Sequence, residues 1–239
     1  MIYLKEFDSH ASYEEKLNGG GVDISLPNVS YCEDVKDIHY TPYNLVRFYV
    51  GDITGTTPQT VKIYTDSTNH EDVQVNEGNK WYTYLLPKDK GLFWMIGNSV
   101  KKVVVKADIS FEGNPLDSPA SIIPNSTIEA SFKGSNTSKV TNIYGMFGFC
   151  SGLTSLDISN FDTSNVTNMN SMFINCIGLT SLDLSNFNTS NVTDMDSMFS
   201  GCNALHEIKM VGCTPETRTK IEEALTAAGI KDNVEIKTT

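Results

Sequence analysis

Between Lys139 and Lys209 the chain has no lysine and no arginine. The formal net charge of the 239 residues is −11 at pH 7. A phosphate backbone or an anionic bilayer needs clustered cations to displace its counterions. Nucleic acid and acidic lipid are therefore expected to be poor partners for this stretch. No apolar run reaches the roughly 18–20 residues that span a bilayer, so membrane insertion is not expected. The opening MIYLKEFDSHASYEEK sets Lys5, Glu6 and Asp8 where a secretory signal would carry its apolar core, so an export signal is not expected in this chain. Histidine is scarce: His10, His39, His70 and His206 are scattered, with no cysteine or carboxylate at ligand spacing, and no metal site is expected. No nucleophile–base pair, phosphate loop or metal cluster appears, which argues against an enzyme and against a cofactor. The five cysteines are an odd number, and a secreted disulfide scaffold is not indicated.

What the chain has instead is a sentence written more than once. TSLDISNFDTSNVTNM begins at Thr154 and TSLDLSNFNTSNVTDM at Thr180. Three copies of 26 residues align without gaps: Ser138–Thr163, Ser164–Thr189 and Ser190–Pro215. Val140, Val166 and Val192 coincide, as do Met146–Phe147, Met172–Phe173 and Met198–Phe199. A degraded half-copy starts at Ile128, with Ala130 at the Leu156 position and Phe132 at the Ile158 position. A fixed period in this range is the signature of a solenoid. Leu156 and Ile158, two apart, predict an inward-facing strand. Val166, Met169, Met172–Phe173 and Cys176 stand at helical spacing and predict a short helix, with Ser164 or Asn165 as its N-cap. Cys150, Cys176 and Cys202 share the period and read as reduced core cysteines, because strand-spaced stacking separates them beyond disulfide reach. The two Asn-Val-Thr strings at Asn165 and Asn191 follow from repetition and capping.

After the repeat, Thr214, Pro215 and Glu216 predict a capped helix start, and Ile221, Ala224, Leu225 and Ala228 form one apolar face. Gly229 stops that helix, and Val234 and Ile236 alternate as a last strand. The repeat half, 121–239, is thus expected to be an α/β solenoid of three coils at 138–215 with a helix–strand cap at 214–239.

Residues 1–120 carry no repeat. A helix is expected from Ser9 to Leu17, then strands in VSYC, IHY, LVRFYV, TVKIYT, KWYTYLL, LFWMIG and KKVVVKADISF. Short strands separated by turn residues predict a mainly antiparallel β domain, a sandwich or a barrel. GNPLDSPASIIPNS reads as the linker into the repeat. Trp81, Tyr82, Tyr84, Phe93 and Trp94 read chiefly as core, but alternation along KWYTYLL leaves room for one outward aromatic.

The string CxGLTSLDLSNFNTSNVTDMDSMFxGC resembles the BspA-like leucine-rich repeat family over about residues 128–213. PNVSYCEDVKDIHYTPY in the first half is loosely similar to openings of uncharacterised gut-bacterial and phage proteins and implies no activity. The family resemblance implies a non-enzymatic interaction or adhesion module at the cell surface, binding a protein or glycan. An alternative is a structural or receptor-binding part of a phage-like particle, which would place it in a virion. If the module recognises a partner, the strand face should carry the site, because alternation leaves Ser155, Asp157, Ser181, Asp183, Glu207 and Lys209 outward. Asp157 and Asp183 should stack directly. With a lysine only at Lys209, this face predicts a basic or neutral partner.

Overall fold

The computed structural model describes residues 44–53, 59–86, 90–97, 99–112 and 121–239. The readings of a helix at Ser9–Leu17 and of strands in VSYC and IHY lie outside the described residues. The fold is mixed α/β and mostly strand, with one α-helix near the C-terminus among the described residues.

Period-two alternation builds the first half. In β1 (Asn44–Val50), Val46, Phe48 and Val50 are buried and Arg47 and Tyr49 are not. β1 runs antiparallel to β4 (Lys80–Leu86), with Phe48 opposite Tyr82, and to β6 (Val100–Lys106), with Phe48 opposite Val103. A second sheet joins β2 (Gln59–Tyr64) antiparallel to β3 (His70–Val75) and β5 (Trp94–Ile96). Val61, Ile63, Val73 and Val75 turn inward from it and join the same core as the first sheet. The polar start of β3, HEDV, hid this strand from the sequence reading, since only Val73 and Val75 face inward.

At β6 the sheet changes character. Its far edge pairs in parallel with β7 (Glu129–Ser131), setting Val103 beside Ala130, and β7 pairs in parallel with β8 (Ser155–Asp157), setting Ala130 beside Leu156. The antiparallel sheet thereby runs without a break into the first strands of the repeat half, in the order β4-β1-β6-β7-β8. Part of the expected linker belongs to this core: Ile122 and Ile123 are buried, and the Ile122 amide donates to Met146 O at 2.8 Å while its carbonyl accepts from Met95 at 2.9 Å.

β9 (Ser181–Asp183), β10 (Glu207–Lys209) and β11 (Glu235–Lys237) form a second parallel ladder in which Leu182, Ile208 and Ile236 lie side by side. β8 and β9 are neighbours but are not laddered. Leu182 and Ile208 are buried, whereas Leu156, at this seam, is only half-buried. Inside the stack, Phe147, Phe173 and Phe199 lie ring on ring at 5.8 Å.

The predicted helix in each 26-residue unit is replaced by a run of turns. Ser171 and Asn175 have φ of 57° and 56°, and the equivalent positions Gly145, Ser197, Phe149 and Gly201 are also positive. Two left-handed residues four apart cannot belong to an α-helix. The amides of Met169, Ser171, Phe173 and Asn175 donate instead to the carbonyls of Asp194, Asp196, Met198 and Ser200 in the next copy, at 2.7–3.0 Å. The residues between them close i→i−3 turns, as in Met172 to Met169 and Cys176 to Phe173. Ser164 and Asn165 therefore cap no helix. Asn165 and Asn191 donate from their side chains to Ser138 O and Ser164 O of the preceding copy.

The terminal helix α1 (Pro215–Ala227) starts as its sequence predicts. Thr214 accepts from the Thr217 amide, Pro215 fills the first turn, and Ile221 and Leu225 are buried.

Candidate interaction face

The polar residues of the repeated sentence divide into those that hold the coils and those that do not. Asp157 accepts from the Ser159 amide at 3.1 Å, Asp162 from Ser164 at 3.0 Å and Asn168 from Asn170 at 2.8 Å. Asp183, Asn188 and Asp194 repeat these bonds one copy on. Each is a side chain closing its own turn two residues ahead. Buried Thr137 and Thr163 each donate a hydroxyl to a carbonyl of the next copy, Asp162 and Asn188, and accept the amide of that same residue. The buried thiols belong to the same scaffold: Cys176 donates to Phe147 O and Cys202 to Phe173 O, and burial pushes Cys150 and Cys202 up to about 12. They are free cysteines, poor in thiolate and unsuited to nucleophilic chemistry.

The six residues picked from the sequence lie on one outward face. Ser155 and Asp157 are on β8, Ser181 and Asp183 on β9, and Glu207 and Lys209 on β10, alternating with the inward row of Leu156, Leu182 and Ile208. Two columns run across the strands. One reads Lys102, Glu129, Ser155, then Ser181, Glu207, Glu235; the other reads Val104, Ser131, Asp157, then Asp183, Lys209, Lys237.

The charge pattern differs from the sequence expectation. Lys209 is not the only cation of the face: Lys102 pairs with Glu129 at 2.9 Å, Lys209 with Asp183 at 3.0 Å, and Lys237 with Glu207. Lys102 and Lys237 lie outside the 26-residue period, so the repeat alignment did not place them on this face. Burial pushes the Asp183 carboxyl up, but hydrogen bonds from Ser185 and pairing with Lys209 outweigh it and hold the group below its ordinary value. Asp157 has no basic partner among the described residues. Nor do Asp157 and Asp183 stack across a ladder. They flank the one seam at which neighbouring strands of the stack are unpaired, and like charges directly opposite one another disfavour a ladder.

The face continues onto the first half. Tyr49 lies opposite Lys102 on one side and opposite Trp81 on the other. The Arg47 guanidinium lies 4.8 Å from the Trp81 ring centre, and Tyr49 meets that ring edge-on at 5.6 Å. Trp81 is the outward aromatic that alternation allowed; Tyr82, Tyr84, Phe93 and Trp94 are buried. An open groove of about 540 Å³ lies beside this face, lined by Lys106, Ser131, Lys133, Gly134 and Asn160. The alternation in LVRFYV could have placed Arg47 and Tyr49 outward, but nothing in the sequence joins their sheet to the repeat.

Among the described residues no group of three or more His, Cys, Asp or Glu is arranged to hold a metal ion, and no helix is long and apolar enough to cross a membrane.

A protein-family model described as "Mycoplasma protein of unknown function, DUF285" matches residues 121–227. The match opens at Ser121, whose hydroxyl donates to Met146 O, and closes at Ala227, the last residue of α1. No match was found among curated proteins or among solved structures.

Proposed function

We propose that residues 121–239 are a short leucine-rich-repeat-like solenoid of the BspA kind, and that it works as a non-enzymatic recognition module at the cell surface. Its ligand is a protein or a glycan, bound on the outward strand face. One observation carries this reading. The unit's turn carboxylates, buried threonines and buried thiols are engaged in holding the coils, while the Ser155 and Ser181 hydroxyls between them on the outward face make no hydrogen bond among the described residues. Those two serine positions can change their side chains without loss of the stack. The partner is basic or neutral, because the acidic charge without a local cation sits at Asp157, and binding weakens as salt rises.

The test compares the wild type with an Asp157→Asn/Asp183→Asn double variant. Asparagine keeps the acceptor that closes each turn and removes the charge. Both proteins are immobilised and probed with glycan arrays and purified extracellular matrix proteins at low and high salt. Capture by the wild type that the double variant loses supports the reading. Equal capture by both moves the site off this face.

A further inference from the structure

The run of turns on the third side of each coil presents a one-sided backbone edge. At the seam between the second and third copies, four amides, Met169, Ser171, Phe173 and Asn175, point the same way and meet four carbonyls. The carbonyls of Met169, Ser171 and Phe173 are turned into their own coil, where they accept from Met172, Ile174 and Cys176. The edge therefore offers donors only.

In the third copy the equivalent amides are Met195, Ser197, Phe199 and Gly201. The backbone is in the same conformation, with φ of 57° at Ser197 and 78° at Gly201, and the i→i−3 turns are closed. None of the four amides has an acceptor among the described residues. The C-terminal cap stops short of them. Thr217 takes the Thr189 amide, Lys220 donates to Thr189 O and Val192 O, and β11 extends β10 on the strand side. Beyond Val192 a groove of about 310 Å³ opens between Met195 and Asp196 on one wall and Glu223 and Ala227 of α1 on the other.

The chemistry of the edge selects its occupant. An extended strand shows alternating N–H and C=O groups along one edge, so half of its groups would face a donor row unmatched. Two copies of this chain meeting edge to edge would oppose donor to donor. Head-to-tail stacking needs the acceptor edge of the first copy, and its central carbonyl, Met146, is already taken by Ile122 N and Ser121 Oγ. An acceptor-only row is what a coil of this same pattern presents on its opposite side. We propose that the open edge at Met195–Gly201 docks the acceptor side of a coil from a different polypeptide built on the 26-residue unit, which extends the stack across two chains. The site is separate from the strand face, and its test reads out independently of it.

The experiment measures amide hydrogen exchange on the full chain, alone and with a synthetic peptide of sequence Ser190–Cys202, which carries the four acceptors used at the preceding seam. In the free chain the Ser197 and Gly201 amides should exchange at least about tenfold faster than Ser171 and Asn175. Peptide at millimolar concentration should slow exchange at 195–201, and an Ala227→Trp variant, whose indole fills the groove from an exposed position, should lose that slowing while keeping its thermal midpoint. The proposal is overturned by equal protection of both rows in the free chain. It is equally overturned if the peptide has no effect, or if the Trp variant retains the effect.

Discussion

Positive φ, at two positions per copy, decides what the third side of each coil becomes. Left-handed backbone costs a residue with a Cβ about 1–2 kcal/mol, and glycine escapes that cost. The first such position holds Gly145, Ser171 and Ser197 in successive copies; the second holds Phe149, Asn175 and Gly201. Glycine and asparagine suit it, while Phe149, at φ 61° and 40% exposed, is the outlier, held there because its amide donates to Ile174 O at 2.7 Å. Ser197 is exposed and its side chain makes no hydrogen bond, so its replacement reports the backbone alone. Ser197→Val should cost about 1–2 kcal/mol, since a β-branched residue tolerates this region worst, and Ser197→Gly should cost nothing. Urea midpoints of the two variants check this, and equal midpoints would remove the backbone argument.

At the scale of the element, each coil is a strand, a corner closed by side chains and a leg of turns, each joined to its neighbour by different groups. The corner depends on buried threonine. Thr163 donates to Asn188 O at 3.0 Å and accepts from Asn188 N at 2.8 Å, and Thr189 meets Thr217 of α1 at the corresponding place. Thr163→Val keeps the shape and strands both backbone groups of Asn188, so it should destabilise by about 1–3 kcal/mol. A Thr137→Val variant, which strands the equivalent groups of Asp162, should behave alike. Denaturation midpoints unchanged by either would mean that water replaces the hydroxyl. The period, the inward rows and the terminal cap were legible in the sequence, because Leu182, Ile208, Ile221 and Leu225 announce burial through spacing. The leg was misread because Met169, Met172–Phe173 and Cys176 show the same three-to-four spacing in a chain of i→i−3 turns as in a helix. The opposing signal was the row Gly145, Asn175 and Gly201, residues that accept positive φ. The outward face was found in part: the repeat supplied Ser155 through Lys209, while Lys102, Tyr49 and Trp81 reach it through a pairing of β6 with β7 that no local pattern encodes.

At the scale of the molecule, that pairing ties the two halves together. β6 belongs to the antiparallel sheet through Phe48–Val103 and to the parallel one through Val103–Ala130, so Val103 sits in both. The Ile122 segment adds a second tie, between β5 and the first leg. One hydrophobic core runs from Val46 to Val234 without a break. Losing either half exposes the flank of the other, and unfolding should then be a single transition. The chain carries its own reporters. Both tryptophans, Trp81 and Trp94, lie in the first half, whereas Cys150, Cys176 and Cys202 are buried in the second. Tryptophan fluorescence and alkylation of these three thiols, followed through one urea titration, should give the same midpoint. Val103→Asp, which buries a charge at the shared strand, should move both midpoints down together. Thiols that become reactive at urea concentrations where the tryptophan signal is still native would show that the repeat half opens alone, and that the continuous sheet does not couple the two.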